Sequence, residues 1–263
     1  MTPAAHRDFT DRLLERLARD PAVLGLVTLG SSSGRPPGPD AFSDHDFFVV
    51  VRPGEQERLR GDLGWLPDAA EVALAFRETA HGLKVLYRSG HLAEFAVFDP
   101  DELGLARVNR YAVPLDRADV AARLARVREA TRAAAAGPPP DEAWLAGQLL
   151  TNLVVGAGRH ARGERLSGHQ LVRVGALQHL VALLRLGLPG EAAARLDDLD
   201  LFRRLERALP AEAAALDAGL CLPVPAAARA LLAVAVGARP GCFTAAALAA
   251  VEAALAAAEG GGG

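Results

Sequence analysis

Residues 26–51 have the sequence LVTLGSSSGRPPGPDAFSDHDFFVVV. An apolar run ends at Gly30 and Ser31, a loop rich in proline and glycine follows, and a second apolar run begins at Asp44 and Asp46. Short apolar runs bounded by turn residues are typical of buried β-strands. The sequence therefore predicts two strands joined by a long loop, with two carboxylates at the start of the second strand.

The spacing of the two aspartates gives them a common direction. In a β-strand, residues i and i+2 project to the same face, so Asp44 and Asp46 point together and His45 points away. Two unpaired carboxylates side by side repel and raise each other's pKa. A divalent cation removes that cost, and carboxylate oxygens suit Mg²⁺. The alternative is that Asp44 caps a turn and that Asp46 is solvated at the end of the strand.

The surrounding residues favour the metal site. A glycine such as Gly30 lets the backbone approach a phosphate closely, and the hydroxyl of Ser31 can donate to that phosphate. Arg35, in the loop, is a candidate phosphate ligand. Glu94 lies within the apolar run LAEFAVF, where a charge is costly unless it is paired or functional. Burial there predicts a raised pKa, which is useful in a general base.

These motifs resemble those of the nucleotidyltransferase fold, the polymerase-β-like superfamily, and within it the antibiotic (aminoglycoside) nucleotidyltransferases. LGSSSG resembles the family's glycine–serine motif, SDHDFFVVV its Asp-x-Asp strand, and LAEFAVF the strand of its third acid. The resemblance implies that Gly30 and Ser31 hold the phosphates of an NTP. It also implies that Asp44 and Asp46 bind Mg²⁺ in the catalytic site. Glu94 is then the third metal ligand or the general base.

The chain departs from the family pattern in three places, and the resemblance covers residues 24–98. The loop before the Asp-x-Asp strand is long and rich in proline, and His45 stands where an aliphatic or aromatic residue is commoner. The third acid is Glu94, whereas the family more often has aspartate. That difference favours the general-base role for Glu94.

The pattern along the chain predicts an α/β (α+β) nucleotidyltransferase domain with a mixed sheet, followed by an all-α helical bundle. A helix is predicted at 6–19, and the β-rich runs are 22–30, 46–51, 71–76, 83–88 and 91–98, so the sheet is mostly complete by residue 98. Beyond residue 116 the pattern is helical, interrupted by GPPP at 137–140. We place the nucleotidyltransferase domain at 1–115, the helical bundle at 116–259 and a flexible tail at 260–263.

Composition limits the class of protein. The chain has 263 residues, 51% of them hydrophobic, and a net charge of −3, which fits a globular protein and argues against a general nucleic-acid binder. Cys221 and Cys242 lie far apart, so neither a disulfide framework nor a zinc site is expected. The charged N-terminus lacks the apolar core of a signal peptide, and no stretch is long enough to span a membrane. We expect a cytoplasmic protein.

Two other nucleotide-binding patterns do not fit. LVVGAGRHA, residues 153–161, has the glycine spacing of a dinucleotide-binding loop, but it follows a helical stretch, and no acid stands where the ribose needs one. Lys84, the only lysine, follows no glycine-rich loop, which excludes a Walker A motif.

The expected function is therefore Mg²⁺-dependent transfer of AMP from ATP to a hydroxyl of a small acceptor, with an aminoglycoside-type antibiotic as the family-level expectation. The expected catalytic and metal-binding residues are Asp44, Asp46 and Glu94, and the expected nucleotide-binding residues are Gly30, Ser31 and Arg35. The alternatives are antitoxin-like AMP transfer to a protein or RNA target, and non-catalytic NTP binding. The long helical region argues against a compact antitoxin, and the lack of a basic stripe argues against RNA. The oligomeric state is left open.

Overall fold

The computed structural model describes residues 1–34, 38–135, 137 and 140–260, and the chain falls into two compact units, Met1–Ala135 and Ala136–Gly263. The sequence predicts that the first domain ends at residue 115, but the first unit also contains the next helix, Val120–Ala135. The predicted tail starts at Gly260, which is the last residue of a helix. Residues 261–263 lie outside the described residues.

The first unit contains a six-stranded sheet in the order β3-β4-β5-β2-β1-β6. Its elements are α1 (Pro3–Ala18), β1 (Val23–Leu29), β2 (His45–Val51), α2 (Gln56–Gly61), β3 (Val72–Arg77), β4 (Gly82–Tyr87), β5 (Leu92–Phe98), β6 (Tyr111–Asp116) and α3 (Val120–Ala135). Strands β2 and β5 are parallel, and all other neighbouring strands are antiparallel. The sheet is therefore mixed, and the predicted fold class is confirmed.

The sixth strand is not predicted by the sequence. Strand β6 contains Pro114 and pairs with β1 at the edge of the sheet. Proline cannot donate a hydrogen bond to a neighbouring strand, so it is tolerated at an edge and signals against a strand in a sequence pattern. Five of the six strands end by Phe98, so the expectation that the sheet is mostly complete there agrees with the structure, and β6 is the one strand that the pattern misses.

Helices cover both faces of the sheet. On one face, Phe9, Leu13 and Leu17 of α1 are buried in the same apolar cluster as Phe47 and Val49 of β2. The spacing of the three α1 residues is that of one helical face, as predicted.

The second face of the sheet is covered by α3. Val120, Leu124 and Val127 are buried in one apolar cluster with Val50 of β2 and Phe98 of β5. Burying a large aliphatic side chain contributes about 1.5–3 kcal/mol, so these contacts make α3 an integral part of the first unit. The helix pattern alone does not reveal this, because an amphipathic helix can pack on either unit.

The described residues of the second unit form helices joined by turns and loops. Its helices are α4 (Glu142–Ala161), α5 (Arg165–Gln170), a π-helical segment (Leu171–Ala176), α6 (Leu177–Leu186), α7 (Gly190–Ala193), α8 (Leu205–Ala208), α9 (Pro210–Leu220), α10 (Val224–Ala238) and α11 (Ala245–Gly260). The side chain of Asp141 caps α4 by accepting hydrogen bonds from the backbone N–H groups of Ala143 and Trp144. Among the described residues, no helix is long and apolar enough to cross a membrane.

Residues 189–209 belong to the region beyond residue 116 whose pattern is helical, but they form only the short helices α7 and α8. The side chain of Arg185 donates to the carbonyls of Asp197, Asp200 and Leu201, at 3.0, 3.3 and 2.8 Å. These carbonyls face the guanidinium, and the intervening chain is irregular. A long-range side-chain contact of this kind leaves no periodic signal in the sequence.

Candidate active site

Two of the predicted acids lie side by side on the sheet. Asp46 on β2 is paired in register with Glu94 on the parallel strand β5, and Glu94 is paired with Lys84 on β4. Neighbouring strands are about 4.8 Å apart, and residues paired in register project to the same face. Asp46 shares this face with Phe48 and Val50, because side chains alternate along β2. The sheet thus presents a row of Asp46, Glu94 and Lys84.

A tight turn lies directly next to Asp46. Residues Gly30–Ser33 form a 3₁₀ turn after β1, and Gly30 has a positive φ of 52°, which favours glycine. A Cβ atom on Gly30 would stand 3.6 Å from Oδ2 of Asp46. The N–H of Gly30 donates to the carbonyl of Arg110 at 3.0 Å, and the hydroxyl of Ser33 donates to the carbonyl of Gly30 at 2.7 Å. A ligand can therefore approach the backbone closely at Gly30, and Ser31 places a half-buried hydroxyl in the same turn.

Glu94 is not the buried acid that its apolar neighbours predict. Its side chain is 34% exposed and lies 3.3 Å from the Nζ atom of Lys84, which also lies 2.9 Å from Glu78. The apolar residues around Glu94 alternate along β5, so Phe95 and Val97 face the α1 side while Glu94 faces the open part of the other side. The run LAEFAVF therefore reflects a strand that is buried mainly on one face at this end.

Lys84 is the residue of this row that the sequence pattern does not single out. Hydrogen bonds to Glu78 and Glu94 raise the pKa of Lys84 above its usual value, so the ammonium stays charged. The available signals are that it is the only lysine and that it alternates with apolar residues in LKVLYR. Neither signal shows that Lys84 stands opposite Glu94, because that depends on the order and register of the strands.

Asp44 occupies a different environment from Asp46. It lies one residue before β2 and is half-buried, and its backbone carbonyl accepts a hydrogen bond from Nε2 of His6 at 3.0 Å. It lines a cavity of about 510 Å³ together with residues 41–43 and 89–92 and Met1. Within the described ranges, no group of three His, Cys, Asp or Glu side chains is placed to hold a metal ion. The predicted set of Asp44, Asp46 and Glu94 is thus not assembled as a three-ligand cage, and Arg35 lies outside the described residues.

A cluster of three buried histidines lies at the start of β2, on the α1 face. The rings of His6 and His45 are stacked at 3.6 Å, and Nδ1 of His45 lies 2.8 Å from Nε2 of His91. Nε2 of His45 donates to the carbonyl of His6 at 3.0 Å, so its Nδ1 accepts from His91. His45 thus faces away from Asp46, as predicted. The contributions of His6 and His91 are missed because the three residues come from distant segments.

Burial keeps two histidines of this cluster, His45 and His91, uncharged near pH 7. It lowers the pKa of His45 to about 3, with a further contribution from the charge of His6. Burial likewise lowers the pKa of His91 to about 4. Both imidazoles are therefore neutral near pH 7, and they link α1 and the start of β5 to the strand that carries Asp46.

Three proteins are among the solved structures that are similar to this chain. An aminoglycoside 6-adenyltransferase from Bacillus subtilis aligns at 13% identity over 97% of this chain and 98% of its own, with a TM-score of 0.33. A nucleotidyltransferase-like protein from Exiguobacterium sibiricum 255-15 aligns at 15% identity over 89% of this chain and 75% of its own, with a TM-score of 0.36. The E. coli MS115-1 CdnC:HORMA-deltaN complex contains a chain that aligns at 14% identity over 92% of both chains, with a TM-score of 0.30.

No protein-family model matches the sequence, and no curated protein matches it significantly. Because the identities and TM-scores of the solved structures are low, we infer the function from this chain's own residues.

Proposed function

We propose that this chain is a Mg²⁺-dependent nucleotidyltransferase that transfers AMP from ATP to a hydroxyl of a small acceptor. The observation that carries the proposal is the pairing of Asp46 with Glu94 on one face of the sheet, beside the left-handed turn at Gly30. Paired carboxylates next to a turn that permits close backbone approach suit a metal-bound triphosphate.

The residues present fit Mg²⁺. This ion is usually held by one or two carboxylates together with substrate phosphates and water, so a two-carboxylate site is sufficient. Asp46 and Glu94 would hold it, and Asp44 would stand one residue before the strand. When bound, the ion neutralises charge on the triphosphate and polarises the α-phosphate. Ser31 would donate its hydroxyl to a phosphate, while Gly30 leaves room for that phosphate beside Asp46.

Side chains of the protein assist the transfer of AMP to the acceptor hydroxyl. The acceptor's hydroxyl oxygen forms a bond to the α-phosphorus, the bond from that phosphorus to the bridging oxygen breaks, and pyrophosphate leaves. Glu94 takes the proton of the hydroxyl as general base, on the carboxylate oxygen that does not hold the ion. Lys84 holds one oxygen of Glu94 at 3.3 Å and so restricts the orientation of the carboxylate.

The acceptor and the nucleotide are the finer parts of the proposal. An aminoglycoside-type acceptor and ATP follow from the motif resemblance. The alternatives are transfer to a protein or RNA target and non-catalytic NTP binding. The contact between Lys84 and Glu94 favours the last of these as a second candidate, because an ammonium on the carboxylate also suits a site that only binds.

A turnover assay separates these possibilities. The chain is incubated with labelled ATP, Mg²⁺ and a panel of hydroxyl-bearing small molecules, proteins and RNA, and nucleotidylated product is scored. We expect label on a small molecule and a loss of at least about 10²-fold in turnover for Glu94→Gln, which cannot accept the proton. Glu71→Gln, a change at an exposed carboxylate directly before β3, is the matched control and should keep normal turnover. Wild-type turnover in Glu94→Gln would remove the assigned base, and binding without any product would favour the non-catalytic alternative.

A further inference from the structure

The only lysine of the chain is built into the candidate site. All the other residues among the 29 Lys and Arg are arginines, and the lysine stands at the position of β4 that pairs with Glu94. An ammonium is a compact point charge, whereas a guanidinium is a planar fork that spreads its charge over several donors. Lys84 therefore presents a localised positive charge to the row of carboxylates.

The geometry holds Lys84 between two carboxylates. Its Nζ atom lies 3.3 Å from Oε1 of Glu94 and 2.9 Å from Oε1 of Glu78, and 27% of its side chain is exposed. Asp46 is the next residue of the row beyond Glu94. Two neighbouring carboxylates repel each other, and the ammonium compensates for part of that repulsion. Lys84 thus neutralises part of the charge of this row through its contact with Glu94, one of the two carboxylates that would hold a metal ion.

From this arrangement we propose that Lys84 is an internal counter-cation that opposes binding of a free divalent ion to Asp46 and Glu94 and makes metal binding depend on the nucleotide. This inference rests on the proposed function and concerns the regulation of the same site. An ammonium a few ångströms from a divalent ion lowers its affinity by about 10-fold or more near a protein surface. A triphosphate reverses the balance, because its negative charge attracts the ion and the ammonium together.

Glu78 allows Glu94 to leave Lys84 for a metal ion while Lys84 keeps a carboxylate partner. When Glu94 turns to another cation, the 2.9 Å contact with Glu78 can remain as the partner of Lys84. The site therefore has two arrangements of charge, one with Lys84 shared between two carboxylates and one with Lys84 held by Glu78 and available to phosphate. The order of binding that follows is nucleotide with metal, rather than metal first.

The test measures binding of Mn²⁺, a spectroscopic substitute for Mg²⁺, by electron paramagnetic resonance with and without a non-hydrolysable ATP analogue. The proteins are the wild type, the uncharged variants Lys84→Met and Lys84→Gln, and the charge-preserving variant Lys84→Arg. Arg77→Met is the control for a general charge effect, because Arg77 is on the neighbouring strand but pairs with Glu57 at 2.6 Å. Circular dichroism confirms that each variant is folded.

We expect both uncharged variants to bind free Mn²⁺ about 10-fold or more tightly than the wild type, with a smaller or reversed difference when the analogue is present. Lys84→Arg and Arg77→Met should behave like the wild type. Equal affinities for free Mn²⁺ in wild type and both uncharged variants, with normal binding in the presence of the analogue, would overturn the role of Lys84 and leave the proposed function intact. Failure of the folded wild type to bind Mn²⁺ even with the analogue would overturn both.

Discussion

The buried histidine cluster should make the first unit sensitive to mild acid. His45 and His91 have native pKa values of about 3 and about 4, and both would titrate near 6.5 in the unfolded chain. Below pH 6.5 the unfolded state therefore binds protons that the native state does not bind. The free energy of unfolding falls as the pH falls through this value, and the stability is fully present above it.

The magnitude follows from the two pKa values. Between pH 7 and pH 5, each imidazole that titrates near 6.5 only in the unfolded state costs about 2 kcal/mol. His45 and His91 share a hydrogen bond of 2.8 Å, so their titrations are coupled. A proton added to Nδ1 of His45 would face the N–H of His91 and remove this bond. We expect the first unit to lose about 2–4 kcal/mol over this range.

The assay follows the first unit alone. The chain has two tryptophans, and Trp144→Phe leaves Trp65, which packs against Phe47 and Phe95, as the single tryptophan. Urea unfolding of this variant at pH 7 and pH 5 gives the two free energies of unfolding. The same measurement with His45→Asn should show a clearly smaller difference between the two pH values. The prediction is wrong if the free energy of unfolding is the same at pH 7 and pH 5. It is also wrong if His45→Asn shows as large a difference between the two pH values as the parent variant.

Three further substitutions test the packing. Gly30→Ala should cost about 1–2 kcal/mol in unfolding of the first unit, because it places a side chain at positive φ. It should also weaken nucleotide binding, because the new Cβ would stand 3.6 Å from Oδ2 of Asp46, in the space proposed for a phosphate. Urea unfolding and calorimetry measure the two effects. Leu124→Ala, at a fully buried position of α3, should destabilise the first unit by about 2–5 kcal/mol as reported by Trp65 fluorescence. An unaffected first unit would contradict the placement of α3. Asp141→Ala removes the cap of α4 and should cost the second unit about 1 kcal/mol, followed by Trp144 fluorescence in a Trp65→Phe background; no change would mean that the cap contributes nothing.

The sequence predicts most of the elements because their burial is periodic or continuous. Strands β1, β2 and β5 are apolar runs, and α10, Val224–Ala238, lies in the region beyond residue 116 that is predicted to be helical. The features that the sequence does not predict depend on contacts between residues far apart in the chain. Pro114 hides strand β6 in the sequence pattern, and the helical pattern over 189–209 is interrupted where Arg185 binds the carbonyl of Leu201 and its neighbours. The extent of the first unit depends on which face α3 covers, which no local pattern specifies.

In the candidate site too, the sequence predicts some features and misses others. The chemistry of Asp46 and Glu94 is visible as carboxylates within apolar runs, but their pairing depends on β2 and β5 being parallel neighbours in register. The same register places Lys84 beside Glu94 and turns a predicted buried base into a half-exposed ion pair. A single sequence contains the candidate residues, whereas the arrangement that gives them a function arises from strand order.

The most direct test of the proposed function is a calorimetric titration of the chain with a non-hydrolysable ATP analogue in the presence of Mg²⁺. We expect one binding site for the analogue in the wild type and in Glu71→Gln, the exposed-carboxylate control. Asp46→Asn should bind at least about 10-fold more weakly, because a metal-ligating carboxylate loses its charge. The same affinity and stoichiometry in Asp46→Asn as in the wild type would contradict the assignment of this site.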